Sequence, residues 1–191
     1  MRPLDRMEMY TDTYYIKRIK DGDVSCFACL IDKYGTQIHS LILRIVGNRE
    51  DAEELTQDSF MKAFKSIDRF KGDCKFSTWL YKIAYNTAIS STRRQKQELL
   101  SIDDSGLENV SEDEIANMFG KGENREMIEW LDMAIQRLTP DERALILLFY
   151  WKEKSIEEIS TIMGISITNT KVKLHRIRKR LLILINEMKH E

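Results

Sequence analysis

Proline is nearly absent, with Pro3 and Pro140 the only two in 191 residues, and glycine occurs only eight times. So few breakers exclude a chain built from many turns, and β-branched runs alternating with period two are missing as well. The expected fold class is therefore all-α. Long apolar runs are also lacking: none approaches the roughly 20 residues needed to span a bilayer. The start, MRPLDRMEMYTD, is too polar for a signal peptide, so no membrane insertion and a cytoplasmic location are expected. Cysteine is scarce and odd in number, with Cys26, Cys29 and Cys74, which points to reduced thiols. Cys26 and Cys29 form a CxxC followed at a distance by His39, but no second CxxC or HxxxH completes a metal-ligand set. They fit an apolar helix face beside Phe27 and Leu30 better, and neither cofactor nor metal is expected.

A surplus of one charge is lacking too. Thirty basic residues against 31 acids give a net charge of −1, which by itself suggests no polyanionic partner. Read locally, the charge is segregated. Lys75 to Gln97 carries five basic residues and no acid, and Ser166 to Leu182 carries six and none. Between them, Gln97 to Glu126 holds nine acids against Lys121 and Arg125. Two basic blocks around an acidic one suggest two surfaces for a polyanion. The acidic stretch, with its glycines and serines, reads as a flexible linker over 98–125 that joins two small helical domains, 1–97 and 126–191.

The sequence Ser155 to Leu182 organises the second domain. Ser155 and Glu158 form a capping box ahead of Ile156, Ile159, Ile162 and Met163, and Gly164 breaks that helix. Ser166 can cap a second helix in which Thr170, Leu174, Ile177 and Leu181 recur at steps of four, three and four and face inward. Val172, His175, Arg176 and Lys179 then face outward, flanked by Lys171, Lys173, Arg178 and Arg180. Helix, glycine turn and basic helix is the helix-turn-helix pattern, whose second helix enters the major groove by its N-terminal residues. A plain helical hairpin with a solvated basic face is the alternative. Upstream, Met127 to Leu138 is helical, Thr139-Pro140-Asp141-Glu142 starts a further helix, and Ala144 to Trp151 is the apolar centre.

In the first domain, helices are expected on either side of Asp21-Gly22-Asp23, then from about Gly35 to Val46, and again from Asp51 to Phe64 after the Gly47-Asn48 turn. Asp51, Glu54, Gln57 and Asp58 share one side of the last, either a solvated face or a dock for a basic partner. Arg69 to Lys75 is a polar loop containing Gly72. Beyond it Phe76, Trp79, Leu80, Ile83 and Ala84 define a buried stripe. Tyr81, Lys82, Tyr85, Asn86, Arg93 and Arg94 are expected on the opposite side, where rings and cations suit single-stranded nucleic acid, unless the tyrosines cover core.

Four blocks in this order, DAEELTQDSFMKAFKSIDRF, KFSTWLYKIAYNTA, LTPDERALILLFY and the closing helix-turn-helix, resemble the extracytoplasmic-function group of bacterial sigma factors. The resemblance implies a transcription initiation factor, not an enzyme, that binds core RNA polymerase at its clamp coiled coil and flap. It implies promoter DNA, single-stranded and duplex, as ligand and an anti-sigma protein as inhibitor. By position it assigns polymerase contact to Asp51, Glu54, Leu55, Gln57, Asp58 and Phe60. Capture of the −10 strand falls to Arg69, Lys71, Gly72, Asp73, Lys75, Lys82, Tyr85, Asn86 and Arg93. Reading of the −35 duplex falls to Thr168, Asn169, Lys171, Val172, Lys173, His175 and Arg176, with Arg178, Lys179 and Arg180 toward phosphates or solvent. Thr168 and Asn169 stand where the group frequently has glycine then threonine, and Val172 where a small polar residue is common, so the −35 preference is this chain's own. A stand-alone helix-turn-helix regulator and a thiol or metal enzyme are the competing classes.

Overall fold

The computed structural model describes residues 10–95 and 125–190. The expected linker therefore lies outside the described residues apart from Arg125, which opens a helix. Among those residues every regular element is helical, and they group into two compact units, the first running to Arg94 and including Thr161–Gly164, the second taking the rest.

In the first unit, α1 (Asp12–Lys20) starts at Thr11, whose hydroxyl accepts from Tyr14 N, and buries Tyr15, Ile16 and Ile19. Asp12 ties it to the next helix by accepting from Tyr34 Oη and Lys33 Nζ, each at 2.6 Å. That helix, α2 (Cys26–Val46), runs unbroken where the sequence suggested a new start near Gly35. Phe27, Leu30, Tyr34, Ile38, Leu41, Ile42 and Ile45 keep helical spacing straight through the glycine and are all buried. A helix-interior glycine costs about 1 kcal/mol. Burying one large aliphatic side chain returns about 1.5–3 kcal/mol, so the stripe wins.

Asn48 caps α3 (Arg49–Lys65), which lays Ala52, Phe60 and Ala63 against α2, and the rings of Phe27 and Phe60 meet at 6.4 Å. A short 3-10 turn, Ile67–Arg69, leads into the loop before α4 (Phe76–Gln95). Here the expected stripe is rotated. Phe76, Leu80, Tyr81, Ala84, Tyr85, Ala88 and Ile89 are buried, together with Thr78, Thr87 and Thr92, whereas Trp79 and Ile83 are half-buried. Trp79 packs on Phe70 and Phe76 at the loop, with ring centres 5.3 and 5.7 Å apart.

In the second unit, α5 (Arg125–Arg137) ends against a buried arginine. Arg143 donates from Nε to Ile135 O at 3.1 Å and from Nη2 to Gln136 O and Leu138 O at 2.6 and 3.1 Å. These are carbonyls a helix C-terminus leaves open, which explains a buried cation with no carboxylate among those partners. The capping box of Thr139 and Glu142 forms as the sequence indicates and starts α6 (Pro140–Ile146), which continues as a π turn over Leu147–Trp151. Ala144 to Leu148 are the centre of the core, but Trp151 is 42% exposed. α7 (Ile156–Met163) and α8 (Ile167–His190) follow.

Candidate functional site

The helix-turn-helix follows directly from its capping residues. Glu158 N donates to Ser155 Oγ at 3.2 Å and Ser155 N to the Glu158 carboxylate at 3.1 Å, which fixes the start of α7. Gly164 ends that helix at φ +69°, a conformation L side chains rarely adopt. Ser166 Oγ then accepts from Asn169 N at 3.1 Å and opens α8. Thr170, Leu174, Ile177 and Leu181 are all 4% exposed or less, so the recognition helix is rolled as its spacing indicates. Thr168, Asn169, Lys171, Val172, Lys173 and Arg176 are exposed over its first three turns, and His175 is half-buried on their flank.

The later cations are used differently. Arg180 Nη1 lies 2.5 Å from Glu142 Oε1, with side chains only 14% and 22% exposed, and so pins α8 to α6. Arg178 stacks its guanidinium over Phe149 and Tyr150, 5.2 and 5.5 Å from the ring centres. Both were expected toward phosphates or solvent. The structure instead gives them to packing, because α8 needs its second half to hold the core.

In the first unit the exposed side of α4 is a strip of Lys82, Asn86, Ser90 and Arg93 at steps of four, four and three. Tyr85, assigned to this surface by sequence, is only 6% exposed and Tyr81 only 1%. Their rings are the largest apolar surfaces on the middle of α4, so burial took them, and the Tyr81 hydroxyl finds Gln37 Oε1 at 3.2 Å. Burial also pushes the Tyr81 phenol up to about 12. Stacking on this face therefore falls to no tyrosine of α4.

Arg69, Lys71, Gly72, Asp73 and Lys75 are exposed on the loop, and Gly72 has φ +85°. The loop and α1 enclose a cleft of about 550 Å³ whose lining includes Lys17, Lys20, Lys71 and Lys75 with Phe70 and Phe76. Lys20 Nζ donates to Phe70 O at 2.8 Å and fastens the loop to α1. Lys17 and Lys20 escaped sequence reasoning, since a contact across fifty residues leaves no local pattern.

On α3, Glu54 and Gln57 are exposed and Asp51, Leu55 and Asp58 half-buried. Asp58 is paired with Lys62 at 2.7 Å. Phe60 is buried and reaches the surface only as part of an apolar groove between α2 and α3. Burial pushes the thiols of Cys26 and Cys74 up. Cys26 Sγ lies 3.4 Å from Asp23, and burial, then that carboxylate, push the thiol up and disfavour the thiolate. Among the described residues no group of three or more His, Cys, Asp or Glu is placed to hold a metal, and no helix is long and apolar enough to cross a membrane.

Residues 30–98 match sigma-70 region 2, and residues 128–181 match sigma-70 region 4. The ECF RNA polymerase sigma factor SigW of Bacillus subtilis is 32% identical over 179 residues, covering 87% of this chain and 92% of that protein. The chain belongs to the extracytoplasmic-function sigma factors. As a sigma factor it directs promoter-specific transcription initiation. The fold is shared with CnrH, solved in complex with the cytosolic domain of CnrY, at a TM-score of 0.67 and 19% identity over 92% of this chain and 97% of that one. It is also shared with the sigma factor RpoE of Bartonella quintana, solved with the anti-sigma factor NepR, at 0.61 and 22% over 84% and 96%. The sigma factor described here thus places the exposed α8 surface in its region 4 and the α3 face, loop and α4 strip in its region 2.

Proposed function

We propose that this sigma factor divides promoter recognition between its units. The exposed first turns of α8, with Thr170, Leu174, Ile177 and Leu181 buried behind them, carry the reading most strongly. Lys171, Lys173 and Arg176 meet a −35 duplex in the major groove, with Thr168, Asn169 and Val172 setting which bases are accepted and His175 at the edge. Valine offers methyl contact alone, for instance to thymine. Opening a duplex costs stacking energy, which a protein offsets by holding the exposed strand. Lys82, Asn86 and Arg93, with Arg69, Lys71, Gly72, Asp73 and Lys75 and the neighbouring Lys17, hold the −10 strand.

The carboxylate face of α3, Asp51, Glu54 and Asp58 with Gln57 and Leu55, docks on the basic clamp coiled coil of core polymerase, and region 4 contacts the flap. Binding alone is required of the chain, which works in the cytoplasm. The anti-sigma complex of an RpoE relative supports an inhibitor of that kind here. Transcription in vitro from a cognate promoter is expected only when the chain is added to core polymerase. Glu54→Arg should lower core affinity at least tenfold while leaving promoter preference alone. A site-specific footprint by the free chain, with no retention of core polymerase in a pull-down, would replace this reading with that of a stand-alone regulator.

A further inference from the structure

α1 ends at position 20, before the residues that match region 2 begin at position 30, so the family match gives it no part in recognition. It is nonetheless tied into its unit at both ends and in the middle. Near its start Asp12 accepts from Lys33 Nζ and Tyr34 Oη of α2, each at 2.6 Å. Tyr15, Ile16 and Ile19 are buried along its length. Near its end Arg18 Nη2 donates to Asp23 Oδ2 at 2.6 Å across a turn that Gly22 makes at φ +100°. An isolated helix of nine residues is marginal in water, so these contacts, and not propensity, hold α1 in one place. From that place its last residue reaches outward: Lys20 Nζ donates to Phe70 O at 2.8 Å, fifty residues along the chain.

Phe70 is where the chain leaves the 3-10 turn for the loop that precedes α4. Residues 70–75 form no helix, and Gly72 turns there at φ +85°. A segment without a helical ladder of its own takes its course from the few groups that anchor it. Phe70 supplies three such anchors. Its N–H donates to Ile67 O at 3.1 Å, its ring packs on Phe76 and Trp79 with centres 5.7 and 5.3 Å apart, and its carbonyl is held by Lys20. The contact to Lys20 is exposed, so it adds little to global stability, and its effect belongs to the loop. We infer that α1 is a brace and Lys20 a positioning residue, together setting positions 69–75 in the course that receives the −10 strand. A loop already in that course need not be ordered when the strand binds, so Lys20 raises strand affinity without touching DNA. The inference rests on the −10 reading above and adds α1 to it.

Asp12 supplies the sharpest test, because a brace and plain electrostatics predict opposite signs for it. It lines the cleft beside the loop with Lys17, Lys20, Lys71 and Lys75. Removing its charge should strengthen binding of a polyanion, whereas removing the acceptor that seats α1 on α2 should weaken it. Holoenzyme assembled from the full chain and core polymerase is measured on the non-template strand of a promoter selected in vitro from genomic fragments. Asp12→Ala and Lys20→Met should each lower strand affinity about fivefold, the order of one hydrogen bond's net contribution. Lys20→Arg, which keeps a charged donor, should bind like the wild type. Core affinity should not change in any of the three, nor should the slope of log affinity against log salt in Lys20→Met. Wild-type strand affinity in Lys20→Met, or an equal loss in Lys20→Arg, overturns the brace. So does tighter binding by Asp12→Ala with a salt slope reduced by about one in Lys20→Met, the pattern of a direct phosphate contact. If Asp12→Ala melts early, Lys20→Met, which is exposed, decides alone. Lys82→Ala separates the two readings. If it weakens strand binding and Lys20→Met does not, the brace falls and the −10 reading stands; if both bind the strand like the wild type, the −10 reading fails and takes the inference with it.

Discussion

α4 and α8 both carry basic residues, three in α4 and seven in α8, and use them in opposite ways. In α8 the cations of the first turns face outward, and those of the second half are drawn into ion pairing and ring stacking, Arg180 with Glu142 and Arg178 with Phe149 and Tyr150. In α4 Lys82 and Arg93 stay out, and the rings of Phe76, Tyr81 and Tyr85 go in. A basic helix is therefore not a uniform DNA surface. What decides each side chain's role is how much apolar surface its neighbours force the helix to bury, and on which side.

The largest effect that would sharpen this contrast lies in α4. Tyr81→Ala should destabilise region 2 by about 3–5 kcal/mol, in the range for truncating a large buried ring, while Lys82→Ala, one position away and exposed, should change stability by less than about 0.5 kcal/mol. Denaturant midpoints of the two variants measure the difference. Normal stability for Tyr81→Ala, combined with weakened binding of −10 single strands, would mean that this ring serves DNA and not the core. The same burial has a signature in alkali. Tyr81 is held protonated to about 12, above its ordinary value near 10, so its contribution is intact below pH 10 and is lost as pH rises from 10 to 12. Tyr81→Phe removes that part of the decline.

The two helices also differ in how far sequence alone could read them. α8 has one polar and one apolar side, and the four-three-four rhythm of Thr170, Leu174, Ile177 and Leu181 matched the buried face; the caps at Ser155, Thr139 and Ser166 formed as their spacing indicated. α4 has less contrast, because its buried side is built largely from threonines, alanines and tyrosines, residue types that do not mark a core face by themselves. Its stripe was placed one position off, toward Trp79 and Ile83, and Tyr85 was assigned to the surface. Gly35 misled for a different reason. Glycine punctuates most chains, but the apolar stripe of α2 passed through it without a change of phase. Long-range partners such as Lys20 with Phe70 O and Arg180 with Glu142 leave no periodic trace at all.

On α8 the next effect in size belongs to recognition. Arg176→Ala should cost about 1–3 kcal/mol of discrimination at the base it contacts and alter the profile of promoters selected from genomic fragments in vitro. Core polymerase affinity and the melting temperature should not follow. An unchanged promoter profile would move the reading face to the Lys171 and Val172 side of the helix.

The smallest predicted effect separates the two halves of α8 most cleanly. Arg180 and Arg176 lie four residues apart on one helix, and by charge alone either could hold a phosphate. Their surroundings differ: Arg176 is exposed, whereas Arg180 is only 14% exposed and reaches Glu142 at 2.5 Å. Holding α8 against α6 in this way should contribute about 1 kcal/mol, since the pair is partly shielded from solvent and removing one partner leaves the other without its counter-charge. Arg180→Gln should therefore lower the melting temperature by a few degrees and leave the salt dependence of −35 duplex binding as it was. A phosphate contact gives the reverse pattern, a slope of log affinity against log salt reduced by about one with stability unmoved. That result would return Arg180 to the DNA surface and extend the reading face a full turn further along the helix.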